Sequence, residues 1–166
     1  MKVNIALLTV TDTRTFDNDK SGAILVNKIK DANHNLIDRK ICKDNKDDII
    51  LILKDWLKKD NLDVIITTGG TGLTGRDITP EALDEVADKQ IPGFGEIFRN
   101  ISIKTVGTSA IQSRACAVLS NGKYIFALPG SSGGVTDAWE GILKHQLDVN
   151  HKPCNFVELF PRLKEK

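Results

Sequence analysis

The sequence predicts an α/β domain built on parallel strands that carry helices on both faces. Three observations predict it. Residues 3–10, VNIALLTV, are almost continuously hydrophobic with β-branched members, the composition of a strand buried on both faces. Residues 64–68, VIITT, form a second such run, which passes through Gly69-Gly70-Thr71-Gly72 and a polar segment to Thr79-Pro80-Glu81. That triplet reads as a helix start, with a capping hydroxyl, a proline at the first helical position and an acid in the first turn. A third run, residues 123–128, passes in the same way through Pro129-Gly130-Ser131-Ser132-Gly133-Gly134 into a segment with helical spacing.

Taken in order, the first strand leaves through Thr11-Asp12-Thr13-Arg14 and stays polar to Lys20. A helix starting near Ser21-Gly22 then carries Leu25, Ile29 and Ala32 at helical spacing. The loop of residues 11–19 is longer than a simple connection requires, so it either borders a site or is a solvated loop. Residues 36–42 alternate apolar and polar, as in a strand nearer the sheet edge. Asp44 or Asn45 follows where a cap belongs, ahead of the amphipathic stripe Ile49, Ile50, Leu53, Trp56 and Leu57. After the Thr79 helix, with Leu83, Val86 and Ala87, the segment Gln90-Ile91-Pro92-Gly93 interrupts, and Phe94, Ile97, Phe98 and Ile101 form the next stripe. Val106-Gly107-Thr108-Ser109 reads as the entry to a further helix, capped by Thr108 or Ser109 and carrying Ala110, Ile111, Arg114, Ala115, Val118 and Leu119. Asn121-Gly122 makes a turn into the last strong strand, and Val135, Ala138, Trp139, Ile142, Leu143 and Leu147 share one face of the last helix. One domain over residues 1–166 is expected, with residues 150–166 as an extended C-terminal arm.

Composition narrows the function classes. With 23 basic and 22 acidic residues the chain lacks the basic excess of a nucleic-acid-binding protein, and it has few aromatics to stack on bases. No apolar run approaches the roughly 18 residues a membrane span needs. Met1-Lys2-Val3 leads straight into a strand rather than a secretory signal, so a soluble cytoplasmic protein is expected. Cys42, Cys116 and Cys154 are odd in number and far apart, which suits reduced thiols, and His34, His145 and His151 lack zinc-ligand spacing.

The glycine-rich junctions carry the chemistry. Gly69, Gly70 and Gly72 let the backbone turn N–H groups toward an anion, so the loop reads as a phosphate cradle or as a tight connection. It is neither a Walker loop, since no Gly-Lys-Ser/Thr follows, nor GxGxxG. Arg76 and Asp77 form either part of the cradle or a solvated ion pair. Asp44 lies at the end of the second strand, on the same sheet edge as that loop, where two carboxylates could share hydrated Mg²⁺. Thr108, Ser109 and Ser113, with Arg114, offer hydroxyls and a charge near an expected helix N-terminus. No Cys-His or Ser-His-Asp pattern supports covalent catalysis.

GGTGLTGRDITPE, then IPGFGE at 91–96, GTSAIQSRA at 107–115 and LPGS at 128–131, together resemble the MoaB/Mog family of molybdenum cofactor biosynthesis proteins in order and spacing. GTSxxQSRA and the ending DxxxxPCNF at 148–156 are similar to its MoaB branch, and the likeness runs from about residue 3 to residue 156. The resemblance implies a three-layer α/β/α sandwich with a mostly parallel sheet and a homo-oligomer, trimer or hexamer, whose apolar contacts could come from Phe94, Phe98 or the tail. It implies adenylylation of molybdopterin by ATP with Mg²⁺, Asp77 and Asp44 being the catalytic and metal-holding carboxylates. Gly69, Gly70, Thr71, Gly72, Arg76, Pro129, Gly130 and Ser131 would cradle phosphates and adenosine, and Thr108, Ser109 and Ser113 the pterin side. Pro-Gly-Ser-Ser replaces the Pro-Gly-Asn/Gln-Pro of the adenylyltransferase branch. That departure keeps open a non-catalytic binder of molybdopterin or its precursor, or a nucleotide-binding assembly protein.

Overall fold

The computed structural model describes residues 1–165. Strand β1 (Asn4–Val10) leads to helix α1 (Lys20–Asp31), β2 (Asn35–Cys42), α2 (Lys46–Leu57), β3 (Val64–Thr68) and α3 (Thr79–Val86). A two-residue strand β4 (Lys89–Gln90) precedes α4 (Pro92–Val106), a 3₁₀ segment (Gly107–Gln112), β5 (Cys116–Ser120) and β6 (Lys123–Leu128). Helix α5 (Ser132–Ala138) continues through a π turn (Trp139–Leu143) into α6 (Lys144–Gln146), and Val157–Arg162 forms a last 3₁₀ turn.

The sheet order is β2-β1-β3-β6-β5-β4. β2, β1, β3 and β6 run parallel, whereas β5 and β4 are antiparallel additions at one edge. Alternate residues of the buried strands point into two separate cores. Ile5, Leu7, Ile66 and Phe126 meet α1, α4 and α5 through Leu25, Phe98 and Val135. Ala6, Leu8, Ile65 and Ile125 meet α2 and α3 through Ile49, Leu53, Trp56 and Leu83. The result is the expected three-layer sandwich with a mostly parallel sheet. β2 lies at an edge, as its alternation implied.

The parallel strands finish level, Thr9 opposite Thr68 and Thr68 opposite Leu128. Because the chain moves from β1 to β2 on one side and then crosses to β3 on the other, β1 and β3 flank a topological switch point. Such a point opens a crevice at the carboxyl ends of the strands. Three turns meet there, and those after β3 and β6 carry glycine. A Cβ on Gly69, whose φ is 105°, would come within 2.1 Å of the Val10 carbonyl oxygen, and one on Gly130 would lie 3.3 Å from the Gly69 Cα. Only the missing side chains let the strand ends approach this closely.

Several local expectations are corrected. Helix α1 begins one residue earlier and is capped by Asp19, which accepts from Gly22 N. Of the two cap candidates for α2, Asn45 is the one that caps, accepting from Asp48 N. Thr79 does not cap α3: it lies inside the helix, and its hydroxyl donates to the Gly69 carbonyl at 2.8 Å. The segment expected as a helix from 107 is a 3₁₀ turn followed by strand β5, which forms a hairpin with β6 through Asn121 and Gly122, both at positive φ. Phe94 and Phe98 belong to the core rather than to an exposed face. The tail is not extended: Phe156 and Phe160 pack on the Tyr124 ring, and Val157 is buried. Among the described residues no helix is long and apolar enough to cross a membrane.

Candidate functional site

At the switch point a cavity of about 300 Å³ is walled by Thr9, Thr11, Thr13, Arg14 and Ser21 on the β1 side, by Asp44, and by Gly69, Gly70, Asp77 and Gly130 from the other turns. The wall is made of hydroxyls, carboxylates, backbone and one guanidinium, with no aromatic ring. Arg14 makes no ion pair among the described residues.

The two expected carboxylates face this cavity under different constraints. Burial, reinforced by the nearby charge of Asp12, pushes the Asp44 carboxyl above its ordinary value; Asp77 adds to the effect and Arg76 opposes it. Partial burial would also raise Asp77, but the Thr74 hydroxyl and N–H donate to its Oδ2 at 2.7 and 2.9 Å, and with the Gly72 N–H and the charge of Arg114 they hold it below. The charged form of Asp77 is thus well supported, and that of Asp44 is less so, since Arg76 only partly offsets burial and the neighbouring carboxylates. A cation between them would satisfy both.

Two arginines hold the frame. Arg76 makes a two-point pair with Asp12, Nε to Oδ2 and Nη2 to Oδ1, both at 2.9 Å, and Asp12 Oδ1 also accepts from Asp44 N at 3.2 Å. The pair ties the loop after β1 to the loop after β3 at the cavity rim. Arg114 is inside the same loop: its backbone N donates to Thr71 O, its Nε to Gly72 O at 2.7 Å and its Nη2 to Asp77 O at 2.7 Å, while the guanidinium pairs with Glu81. Residues 71–77 are thus stapled along their length, a geometry that needs the planar fork of arginine.

A second cavity, of about 430 Å³, adjoins the first. Pro129 lines one and Gly130 the other. Its walls are Phe98, Val106, Ala110 and Pro129, with the hydroxyls of Ser102, Ser109, Ser113 and Ser131 and the carboxylate of Asp137. Ser131 caps α5, accepting from Gly134 N at 3.1 Å. The crevice therefore has a polar half and an apolar half, divided by the turn after β6.

A family described as a probable molybdopterin binding domain matches residues 6–149. The chain is 43% identical to the molybdenum cofactor biosynthesis protein B of Escherichia coli strain K12 over 161 residues, 97% of this chain and 93% of that one. The chain belongs to the MoaB/Mog family. A crystal structure of a molybdenum cofactor biosynthesis protein B superposes on it with a TM-score of 0.89 at 36% identity, covering 100% of this chain and 98% of the other. The tungsten cofactor synthesizing protein MoaB of Pyrococcus furiosus matches with a TM-score of 0.78 at 33% identity, covering 87% and 92%.

In this MoaB/Mog chain, Asp44, Asp77, Gly69, Gly70 and Gly130 line the polar half, and Ser109, Ser113, Pro129 and Ser131 the apolar half. Thr71 is buried, Gly72 backs the staple, Arg76 is spent on Asp12, and Thr108 lies apart, in a cavity with Arg99, Ile103 and Ile111. Asp137 was not singled out from the sequence, and the loop after β1 was read as bordering a site or solvated, with no role given to Thr11, Thr13 or Arg14. The unusual length of that loop was the signal for Arg14, Thr11 and Thr13. For Asp137 it was a polar residue between the core positions Val135 and Ala138, one turn past a glycine junction.

Proposed function

We propose that this MoaB/Mog protein acts in molybdenum cofactor biosynthesis, binding molybdopterin and joining it to the adenylyl group of ATP with release of pyrophosphate. The observation that carries the reading is the adjacency of the two cavities across Pro129-Gly130: an apolar-walled space able to take a ring system opens beside a polar one that carries two carboxylates. A phosphorylated heterocycle has the same division. The family match and the names of the relatives support the pathway.

In the proposed reaction a terminal phosphate oxygen of molybdopterin attacks the α-phosphorus of ATP, and the bond from that phosphorus to the bridging oxygen breaks, releasing pyrophosphate. Such transfer needs little covalent chemistry from the protein, only alignment and charge neutralisation. Gly69 and Gly70 bring backbone against the phosphates, and Thr11, Thr13 and Arg14 supply donors and charge. Asp44 and Asp77 are the residues that would hold Mg²⁺, which when bound supplies charge neutralisation to the phosphates. Mg²⁺ commonly takes one or two carboxylates and completes its shell with water and phosphate oxygens. The raised Asp44 carboxyl fits that need.

The test is single-turnover incubation with molybdopterin, ATP and Mg²⁺, reading adenylylated product by mass. The expected result is product from the wild type and a loss on the order of 100-fold or more in Asp77→Ala. Wild-type rates in that variant would sink the assignment. A second reading, binding of molybdopterin without transfer, is favoured by the Pro-Gly-Ser-Ser turn, which places Ser131 at the divide; binding of molybdopterin with no product at any ATP concentration would establish it.

The same proposal includes a cytoplasmic homo-oligomer, trimer or hexamer. Its support is the set of exposed apolar side chains along α4 and the following turn, Ile97, Ile103, Val106 and Ile111, the last 82% exposed, together with three cysteines that form no disulfide.

A further inference from the structure

The apolar cavity has one charged group in its wall, Asp137. The residue stands on α5 between Val135 and Ala138, both fully buried, so the helix is fixed beneath it. The Thr105 hydroxyl lies 3.0 Å from both its Oδ2 and the Ser102 carbonyl, sharing one proton between them, which sets the carboxylate across the gap between α5 and α4. No cation pairs with it among the described residues. A carboxylate left without a cation on the wall of an otherwise neutral cavity has two acceptor oxygens and no donor, so it favours ligands that present N–H groups.

Two ring systems enter the proposed reaction, and they differ on this point. The aminopyrimidinone edge of a pterin carries an exocyclic amino group beside a ring N–H, two adjacent donors that match both oxygens of a carboxylate. The corresponding edge of adenine carries an amino donor beside a bare ring nitrogen, whose lone pair would face the second oxygen. We infer that Asp137 is the specificity-determining residue that reads the pterin, so that the cavity of Phe98, Pro129 and Asp137 is the pterin half of the crevice and excludes adenine. The inference rests on the proposed function and assigns one of its two ligands to a place. It has a further consequence. Guanine carries the same aminopyrimidinone edge, so guanine nucleotides compete for this cavity and adenine nucleotides do not.

The experiment uses the full chain and follows the intrinsic fluorescence of pterin, with lumazine, in which a carbonyl replaces the amino group, as the comparison ligand. The wild type is expected to bind pterin about tenfold or more tightly than lumazine, the discrimination of one charge-assisted hydrogen bond. Asp137→Asn, which keeps the shape and an acceptor for Thr105, is expected to lose that preference while its thermal midpoint stays that of the wild type. GMP should displace pterin from the wild type and AMP should not. A wild-type pterin preference in Asp137→Asn, or displacement by AMP as effective as by GMP, overturns the inference even if adenylylated product forms. A wild type that binds neither ring and forms no product overturns the inference and the proposed function together.

Discussion

Asp19 and Asp44 are both partly withdrawn from water, yet their surroundings drive them in opposite directions. Burial would raise Asp19, but the Thr9 hydroxyl at 2.6 Å, the Gly22 N–H at 3.0 Å and Arg39 Nη2 at 2.9 Å outweigh it and hold the carboxyl below its ordinary value. Arg39 is itself fixed over the Phe16 ring, with its buried Nε left unpartnered. A lowered Asp pKa gives stability that is present above the unfolded value near 3.8 and lost as pH falls through the folded value. The raised Asp44 works the other way: its contribution is present below 3.8 and is lost as pH rises through the folded value, so the charged form at neutral pH opposes folding. Two unfolding series against pH check this. Asp19→Asn should be less stable than wild type at pH 7 by about 2 kcal/mol, with the gap closing in acid. Asp44→Asn should be as stable or more so at pH 7 while losing the proposed transfer activity. A marked loss of stability in Asp44→Asn at pH 7 would make that carboxylate a structural group.

At the scale of elements, β3 and β6 and their turns were legible because each combines an apolar run with glycine or proline at its end, and β1 was legible from its apolar run alone. The stretch from 107 to 120 was not. Ala110, Ile111, Ala115, Val118 and Leu119 satisfy a helical spacing, but the chain resolves the ambiguity through the Asn121-Gly122 hairpin, which needs a strand on both sides. That outcome relocates Arg114 from a helix face to the entry of β5, where it reaches back to residues 72, 77 and 81. The carbonyls it joins are invisible to any side-chain pattern. Arg114→Lys should therefore behave almost like Arg114→Ala, each losing about 2–3 kcal/mol and speeding amide exchange across residues 71–78. Retention of wild-type exchange in the lysine variant would mean that charge alone holds the loop.

For the whole molecule, the three-layer arrangement follows from sequence, whereas the two-part crevice does not, since its halves depend on how closely three turns approach. Nor does the outer surface of α4 follow from periodicity. The stripe containing Phe94 and Phe98 is core, and Ile97, expected with them, is 53% exposed. In the proposed oligomer Ile111→Asp should shift the sedimentation coefficient to that of a smaller species without unfolding it, and a wild type that already sediments as a monomer would remove the basis for the assembly. One feature of the sheet also bears on how the protein comes into being. β6 is the last parallel strand to be made, yet it lies beside β3 and carries the Pro129-Gly130 divide. A nascent chain that has emerged only through β5 holds Asp12, Asp44 and Asp77 but has no divide between the cavities and no Asp137. In the proposed function, ligand capture would thus follow completion of the sheet during synthesis, and bound ligand would then draw the population toward finished molecules by mass action.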